Sequence, residues 1–450
     1  MRRVLIAGTG SGCGKTTVTC ALLSALIQKQ NQVAAFKCGP DYIDPMFHRE
    51  IIGAASCNLD SFFCGRDTIR YLLDRNGKNA DIAVIEGVMG FYDGGDASAH
   101  AVSQITDTSV ILVLDCKGMQ DSLGAVMQGF LQYDIPNHIN GFLFNRLPVR
   151  LIPFAKELCS KLHTEYFGCL PAQKFSIESR HLGLVTADEI ADLKSKLLAL
   201  GTAAAEYIEL EKFLALENKP VPAYKSPQIP HLSSSPVIAV AKDRAFCFQY
   251  PENLQLLEEM GCIIKFFSPM HDNEPPDADG LILCGGYPEL YADCLSQNTS
   301  MLRAVREKIL GGMPVIAECG GFMYLHSSLR TKDGIYSMAN VISGEAYPTD
   351  RLNRFGYLTM TAASDQMLCS AGDTLRAHEY HYWDSTSCGT GFHAAKQDGR
   401  AWDCVHTSKT MYAGFPHLYF YSDIQAAFRF AQAAEQYGEQ HGTHQSDSAC

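Results

Sequence analysis

The sequence predicts two α/β domains in one chain, the first a doubly wound, mostly parallel sheet built around a P-loop. Over residues 1–195, short β-rich runs alternate with helix-compatible segments, as in a parallel sheet covered by helices on both faces. A second rhythm of this kind begins near residue 236. Between the two lies KPVPAYKSPQIPHLSSSP, whose Pro and Ser content is typical of a linker.

The predicted strands and boundaries follow from these patterns. In the first domain the strand-like runs are RRVLIAG, QVAAFKCG, DIAVIEGV, SVILVLD and INGFLFNR, and in the second they are PVIAVAKD, CIIKFFSP, GLILCGG and PVIAECG. We expect a P-loop domain over 1–195, a helical segment and linker over 196–235, and a second α/β domain over 236–432. The polar end, 433–450, is predicted to be a disordered tail.

The composition is that of a globular chain with ample apolar material. Of the 450 residues, 46% are hydrophobic and 19% are charged, and the formal net charge is −12. This charge disfavours a nucleic-acid partner, because phosphate contacts need clustered Lys and Arg. No apolar run reaches the ~18 residues of a membrane span, and the 17 cysteines include no C-x-x-C pair. We expect a cytoplasmic protein with reduced thiols and no membrane association.

The first strand runs into a glycine-rich loop that ends in Gly14-Lys15-Thr16-Thr17 and is followed by a helical segment. Strand, loop and helix in this order place backbone N–H groups around phosphates, with the lysine on the β and γ oxygens and the threonine hydroxyl on Mg²⁺. The strict motif has Gly where Thr9 stands. The sequence predicts an ATP–Mg²⁺ site whose contacts are Gly12, Cys13, Gly14, Lys15, Thr16, Thr17 and, after a later strand, Asn145.

Charged residues follow two further strands at the edge where the P-loop lies. Lys37 ends the second strand, where its charge would neutralise a transferring phosphoryl group. Asp41 and Asp44 follow in KCGPDYIDP, positioned to hold Mg²⁺ or substrate or simply to form turns. Glu86 ends the strand IAVIE and is the predicted metal ligand beside Thr16, with Asp93 further along that loop.

A cysteine stands at a strand-to-helix turn in the second domain. In PVIAECGGFMYL, Cys319 follows a strand-like run and precedes Gly320. A nucleophile on such an elbow projects above its sheet, and we expect the helix N-terminus to lower the pKa of the thiol. Gly285 and Gly286, after another strand, and Gly320 are predicted to supply oxyanion-hole N–H groups. A cysteine nucleophile needs a base, and the candidate is His417 in YAGFPHLYF.

Both halves resemble the cobyrinic acid a,c-diamide synthase family of glutamine amidotransferases. The resemblance covers nearly the whole chain and rests on GTGSGCGKTT, FKCGPDYIDPMFH, IEGVMGFYDG, ESRHLGL, LCGGYPEL, AECGGFMYL, HEYHYW and PHLYF. It implies a dethiobiotin synthetase-like fold for the P-loop domain and a class I glutamine amidotransferase fold for the second.

The resemblance also implies the reaction. Cys319 and His417 would release ammonia from glutamine, while ATP and Mg²⁺, held by Lys15, Thr16 and Glu86, would phosphorylate a carboxylate of a tetrapyrrole substrate. Lys37, Asp41 and Asp44 would act in that transfer, with weaker substrate contacts expected from Asp93, Arg180 and His181. A homodimer is compatible with this reading.

Three alternatives stay open. The same chemistry fits hydrogenobyrinic acid or nickel-sirohydrochlorin, the related cobyric acid synthases amidate other side chains, and a P-loop switch ATPase with a degenerate glutaminase domain is a more distant alternative. One departure bears on mechanism. Most class I glutaminases have H-x-E, whereas this chain has His417-Leu418-Tyr419. The histidine would therefore be oriented by another group, such as a backbone carbonyl.

Overall fold

The computed structural model describes residues 1–173 and 193–441. It divides into two compact units, Met1–Pro227 and Gln228–Cys450. No helix in these described ranges has the length and apolarity needed to cross a membrane.

The first unit is built on a seven-stranded parallel sheet of order β3-β2-β4-β1-β5-β6-β7. Its strands are β1 (Arg2–Gly8), β2 (Val33–Cys38), β3 (Ala55–Leu59), β4 (Ile82–Glu86), β5 (Ser109–Asp115), β6 (Ile139–Asn145) and β7 (Glu165–Leu170). The predicted doubly wound class is confirmed. The loops after β1 and β4 leave the sheet at the same edge, because parallel strands share their carboxyl ends.

Helices cover this sheet. They are α1 (Lys15–Gln28), α2 (Ile43–Met46), α3 (Arg66–Gly77), α4 (Ala99–Thr106), α5 (Ser122–Tyr133), α6 (Ile152–Lys161), α7 (Leu193–Tyr207) and α8 (Leu210–Leu214). Helix α1 is buried over most of its length, from Val18 to Leu26. It packs on α7, and the approach is close because a Cβ at Gly201 would stand 2.3 Å from Ser24 Oγ.

The second unit contains a six-stranded sheet of order β18-β19-β11-β10-β8-β9, parallel except for the β18–β19 pair. Its strands are β8 (Val237–Ala241), β9 (Ile263–Phe267), β10 (Gly280–Leu283), β11 (Val315–Glu318), β18 (His406–Thr407) and β19 (Met411–Gly414). The helices are α9 (Pro251–Met260), α10 (Ala292–Gln297), α11 (Thr299–Leu310), α12 (Gly320–Tyr324) and α13 (Ile424–His441). The four strands predicted for this domain are β8 to β11.

A second, mostly antiparallel sheet of seven strands lies in the same unit. It contains β12 (His326–Arg330), β13 (Ile335–Ser337), β14 (Ile342–Ala362), β15 (Thr374–Ser385), β16 (Phe392–Ala395), β17 (Ala401–Cys404) and β20 (His417–Leu418). The sequence did not predict this sheet. Its strands carry many polar residues, and their pairing joins segments distant in the chain, which local patterns do not record.

Two expected boundaries differ from the structure. Residues 196–227 belong to the first compact unit, because α7 packs on α1 and α8 contacts β7; a segment with packed helices is part of the domain. Residues 433–441, expected in a disordered tail, continue α13. This stretch is helical because Ala434 and Gly438 complete the buried face of that helix; the rest of the expected tail, 442–450, lies outside the described residues.

Candidate active sites

The glycine-rich loop after β1 has the shape of a phosphate cradle. Gly12 and Gly14 have φ angles of +77° and +97°, a region that favours glycine, and Gly14 precedes the first turn of α1. The side chain of Lys15 curls back so that Nζ donates to the carbonyl of Gly10 at 3.0 Å. Burial lowers the pKa of Lys15, and the charge of Lys37 adds to the lowering. An anion bound in the loop would offset the cost of burying this charge and would favour the protonated form of Lys15.

A buried ionic cluster lies at the carboxyl ends of β2 and β4. Lys37 Nζ donates to Asp44 Oδ2, to Glu86 Oε1 at 3.1 Å and to the carbonyl of Gly87 at 3.3 Å. The hydroxyl of Thr16 donates to Glu86 Oε1 at 2.6 Å and lies 3.3 Å from Asp44 Oδ1. The structure thus brings together the P-loop threonine and three charged residues that the sequence singled out.

His48 is a member of this cluster that sequence reasoning missed. It is completely buried, in a π-helical stretch that spans Phe47–Ile52. Its Nε2 lies 3.2 Å from Glu86 Oε2, and its Nδ1 lies 3.1 Å from Ser56 Oγ. Thr16 and Lys37 both contact Oε1 of Glu86. His48 therefore positions the other carboxylate oxygen, Oε2. His48 follows β2 and Glu86 ends β4, so their contact depends on the pairing of these two strands. The sequence offered only one indication of it, the FKCGPDYIDPMFH run that ends at His48.

The charges of the cluster decide its protonation. Burial would raise the pKa of Glu86, but Lys37 and the hydrogen bonds from His48 and Thr16 hold it well below its usual range. Burial and then the charge of Glu86 raise the pKa of Asp44. For Lys37 burial acts to lower the pKa, yet the two carboxylates raise it well above its ordinary value. Glu86 is therefore ionised and Lys37 is a cation.

The oxygen atoms of this cluster fit Mg²⁺. One hydroxyl and two carboxylates are hard donors, and Mg²⁺ in phosphate sites takes one or two carboxylates and completes its shell with phosphate and water. No group of three or more His, Cys, Asp and Glu side chains arranged to hold a metal occurs within 1–173 and 193–441. A shell shared with phosphate does not require such a group.

Replacing Lys37 tests how much the cluster contributes to stability. In Lys37→Met the buried carboxylate of Glu86 loses its cation and Asp44 loses its hydrogen-bond donor, so the free energy of unfolding should fall by about 3–5 kcal/mol at neutral pH. This loss of stability should become smaller as the pH falls through the carboxyl range, because protonation of Glu86 removes the buried charge that has lost its cation. Urea unfolding of the full chain, at neutral pH and at an acidic pH in the carboxyl range, measures both changes.

Lys29→Met, at an ion pair with Glu211 whose lysine side chain is 44% exposed, is the control and should change stability by less than about 1 kcal/mol. Equal effects of the two substitutions would contradict the prediction.

The other predicted residues of this unit take local roles or lie elsewhere. Asp41 Oδ1 accepts from the N–H of Ile43 at 2.8 Å, and the exposed Asp93 accepts from Gly90 N–H at 3.0 Å. Both are contacts of turn-forming residues. The amide of Asn145 donates to the carbonyl of Cys13 at 3.0 Å, so that it braces the P-loop. Arg180 and His181 lie outside the described residues.

Beyond the P-loop, a cleft of about 510 Å³ opens at the carboxyl ends of β5 and β6. Its lining comprises Cys116, Gly118, Met119, Gln120, Asp121, Ser122, Pro148 and Leu151. The cleft lies at the sheet edge where ligands bind in open α/β folds.

In the second unit, Cys319 stands on the predicted elbow. It follows β11 and precedes α12, and its φ of +46° is unusual for a residue other than glycine and a mark of functional turns. Its N–H donates to the carbonyl of Gly414 at 2.8 Å, and its carbonyl accepts from Met323 at 2.9 Å. The side chain is buried.

Glycines let the backbone close around this cysteine. A Cβ at Gly320 would lie 3.0 Å from the nitrogen of Gly286, and a Cβ at Gly321 would lie 2.0 Å from the carbonyl oxygen of Leu283. At Gly285 a Cβ would meet the ring of His417 at 2.5 Å. The Cys319 elbow, the Gly285-Gly286 turn and His417 therefore lie next to one another, as the sequence predicted for one site.

His417 contacts a residue that the sequence did not single out. Its Nδ1 lies 3.3 Å from Glu318 Oε2, and Glu318 Oε1 accepts from the N–H of Leu418 at 3.0 Å. Both side chains are buried. The expected partner, a backbone carbonyl, is thus replaced in this contact by the carboxylate that precedes Cys319. The signal available in the sequence was Glu318 itself, an acidic residue ending an apolar strand.

The expected lowering of the Cys319 pKa is wrong. Burial and then the charge of Glu289 raise the pKa of this thiol well above its ordinary value, and the N–H of Gly320 offsets only part of the rise. The helix that follows has five residues, so its N-terminus supplies little field. A thiol with its pKa raised in this way is mainly protonated at neutral pH, so a nucleophilic role for Cys319 would require a base.

Glu289→Gln tests this electrostatic account. Removing the nearby charge should lower the pKa of Cys319 and raise the rate of its alkylation by iodoacetamide at neutral pH several-fold, up to about tenfold for each unit of pKa. Mass spectrometry of the Cys319 peptide over time measures the rate. Glu307→Gln, at an exposed position of α11, is the control. An unchanged rate in Glu289→Gln would show that Glu289 does not set the thiol pKa.

Two family models match this chain, one within each compact unit. Residues 4–183 match the model of the CobQ/CobB/MinD/ParA nucleotide binding domain, and residues 237–424 match that of the CobB/CobQ-like glutamine amidotransferase domain. The protein is therefore an enzyme of the glutamine amidotransferase class that carries its own nucleotide-binding domain.

Curated relatives narrow the class. The chain is 37% identical to the cobyrinate a,c-diamide synthase of Caldanaerobacter subterraneus, over 97% of this chain and 99% of the relative. It is 36% identical to the cobyrinate a,c-diamide synthase of Fusobacterium nucleatum, over 94% of this chain and 99% of the relative. It is 38% identical to that of Salmonella typhimurium, over 92% of this chain and 94% of the relative. The chain belongs to the cobyrinate a,c-diamide synthase family. It is a glutamine-dependent amide ligase of cobalamin biosynthesis.

Proposed function

We propose that the protein amidates the a and c acetate carboxylates of cobyrinic acid, using ATP and glutamine and passing through acyl phosphates. The observation that carries the proposal is the pair of sites in one chain of this family: the Cys319 elbow with His417, and the P-loop with its Lys37–Glu86 cluster. The names of the relatives supply the substrate.

The glutaminase site releases ammonia. His417 removes the proton of the Cys319 thiol, and the sulfur attacks the carboxamide carbon of glutamine. The N–H groups of Gly286 and Gly320 face the oxyanion that develops, with Gly285 beside them. The proton passes to the leaving nitrogen, ammonia departs, and water hydrolyses the thioester to give glutamate and the free thiol.

The synthetase site activates the carboxylate. A substrate carboxylate attacks the γ-phosphorus of ATP, forming an acyl phosphate and ADP, and ammonia then displaces phosphate to leave a primary amide. Lys15 and the loop N–H groups bind the phosphates, and Lys37 stabilises charge on the transferring phosphoryl group. Thr16, Glu86 and Asp44 would hold Mg²⁺, which neutralises charge on the phosphate oxygens. The cleft at β5 and β6 is the proposed place of the nucleoside.

The test is mass spectrometry of the products formed from cobyrinic acid, ATP, Mg²⁺ and glutamine by the purified protein. We expect replacement of the acid –OH by –NH₂ at two carboxylates and no more. No change with cobyrinic acid, but amidation of hydrogenobyrinic acid or nickel-sirohydrochlorin, would retain the two-site chemistry and overturn the substrate. Amidation at other side chains would indicate cobyric acid synthase activity.

A further inference from the structure

We propose that Glu318 is the positioning residue that completes the glutaminase site, through its contact with His417. The inference rests on the proposed role of His417 as the base. Glu318 holds the imidazole in the tautomer with the proton on Nδ1, so that the lone pair of Nε2 accepts the thiol proton, and it stabilises the imidazolium that results.

The contact geometry supports this role. Nδ1 of His417 lies 3.3 Å from Glu318 Oε2, and the other carboxylate oxygen accepts the N–H of Leu418 at 3.0 Å. The carboxylate therefore contacts both the imidazole ring and the backbone N–H beside it, and these two contacts limit rotation of the ring. The side chains of His417 and Glu318 are only 3% and 10% exposed, so water competes little for either partner and the charge acts at low dielectric.

An ionised carboxylate only accepts hydrogen bonds. Next to Nδ1 it selects the tautomer with the proton on Nδ1, and Nε2 is then the unprotonated nitrogen. When Nε2 gains a proton from Cys319, the carboxylate offsets the new positive charge, as the acid does in Ser-His-Asp triads. This arrangement suits a thiol whose pKa is raised by burial, because the base must then supply the driving force.

Strand pairing explains why the residue before the nucleophile can do this. Parallel pairing of β11 with β19 aligns Glu318 with Gly414, and His417 follows three residues later. The position that carries the acid in an H-x-E motif is taken here by Tyr419, whose hydroxyl donates to Glu252 at 3.2 Å. The acid is supplied from the nucleophile strand instead.

A neighbouring histidine is electrostatically distinct. His378 of β15 pairs with His417 across the sheet, and burial together with the charges of His417, Lys396 and His381 lowers the pKa of His378 to about 3. The imidazole of His378 is therefore uncharged at neutral pH. The other ionisable groups around the pair include the thiols of Cys284 and Cys319, whose pKa values are raised mainly by burial, and the phenol of Tyr412, whose pKa burial also raises.

The experiment compares Glu318→Gln, Glu318→Asp and His417→Ala with the double variant Glu318→Gln/His417→Ala. Glutamine-dependent and ammonia-dependent amidation are both measured. Glu318→Gln keeps the volume and an acceptor for Leu418 but loses the charge. We expect its glutamine-dependent kcat to fall about 10²- to 10⁴-fold, with KM for glutamine and the ammonia-dependent rate unchanged. Glu318→Asp should retain part of the activity, because the charge remains.

Two readouts separate positioning from a structural role. The carboxylate stabilises a positive charge on the neighbouring imidazole, so the acid limb of kcat/KM for glutamine should move to lower pH when Glu318→Gln removes that carboxylate. In the His417→Ala background the same substitution should cost less than about threefold, since residues that act as a unit are not additive.

A full additional loss in the double variant, an unmoved acid limb, or a parallel loss of ammonia-dependent activity would each overturn the proposal for Glu318. Failure of the underlying function has a different signature, because His417→Ala would then retain glutamine-dependent activity.

Discussion

Cys319→Ala should abolish glutamine-dependent amidation, by at least about 10³-fold, while amidation with added ammonia proceeds at the wild-type rate. In the proposed mechanism the sulfur forms the thioester, and alanine has no nucleophilic atom to take its place. The nucleotide cluster lies in the other compact unit and keeps its residues. Steady-state rates with each nitrogen donor at saturating ATP measure the two outcomes.

Cys294→Ala is the matched control, since this half-buried thiol lies on α10 and contacts the carbonyl of Met270. It should leave both rates unchanged. If Cys319→Ala lost both activities, Cys319 would have a structural role, and if it kept both, ammonia would come from another residue's chemistry.

Lys15→Ala should abolish amidation with either nitrogen donor, by about 10²- to 10³-fold or more, because in the proposed mechanism ATP activates the carboxylate before ammonia attacks. The expected pattern differs from that of Cys319→Ala and separates the two half-reactions. ADP formation and amide formation, measured together, should fall in parallel. Glutamine hydrolysis in the absence of ATP should persist.

Lys29→Ala is the control at the far end of α1, where the side chain is 44% exposed and pairs with Glu211. It should change neither rate. Ammonia-dependent amidation that survives in Lys15→Ala would exclude the acyl phosphate route through this P-loop.

Much of both sites could be predicted because each depends on local sequence. A P-loop is a continuous run, so GSGCGKTT specifies Gly14, Lys15 and Thr16 together, and the turn is dictated by glycines with positive φ. The elbow at Cys319 is also continuous, with its strand, nucleophile and glycines in twelve residues of sequence. The backbone contacts of Asp41 and Asp93 could not be predicted in this way, and the roles expected of these residues in the site stay predictions.

The sequence by itself determined two α/β domains, a phosphate loop and a cysteine on an elbow, because short-range patterns of apolar residues and glycines record them. Tertiary structure alone decided which distant residues meet. Pairing of β2 with β4 brings His48 to Glu86, and pairing of β11 with β19 brings Glu318 to His417. Burial then set the charges, raising the pKa of Cys319 against the expected lowering. Both effects arise from packing between segments far apart in the chain, which leaves no periodic trace in the sequence.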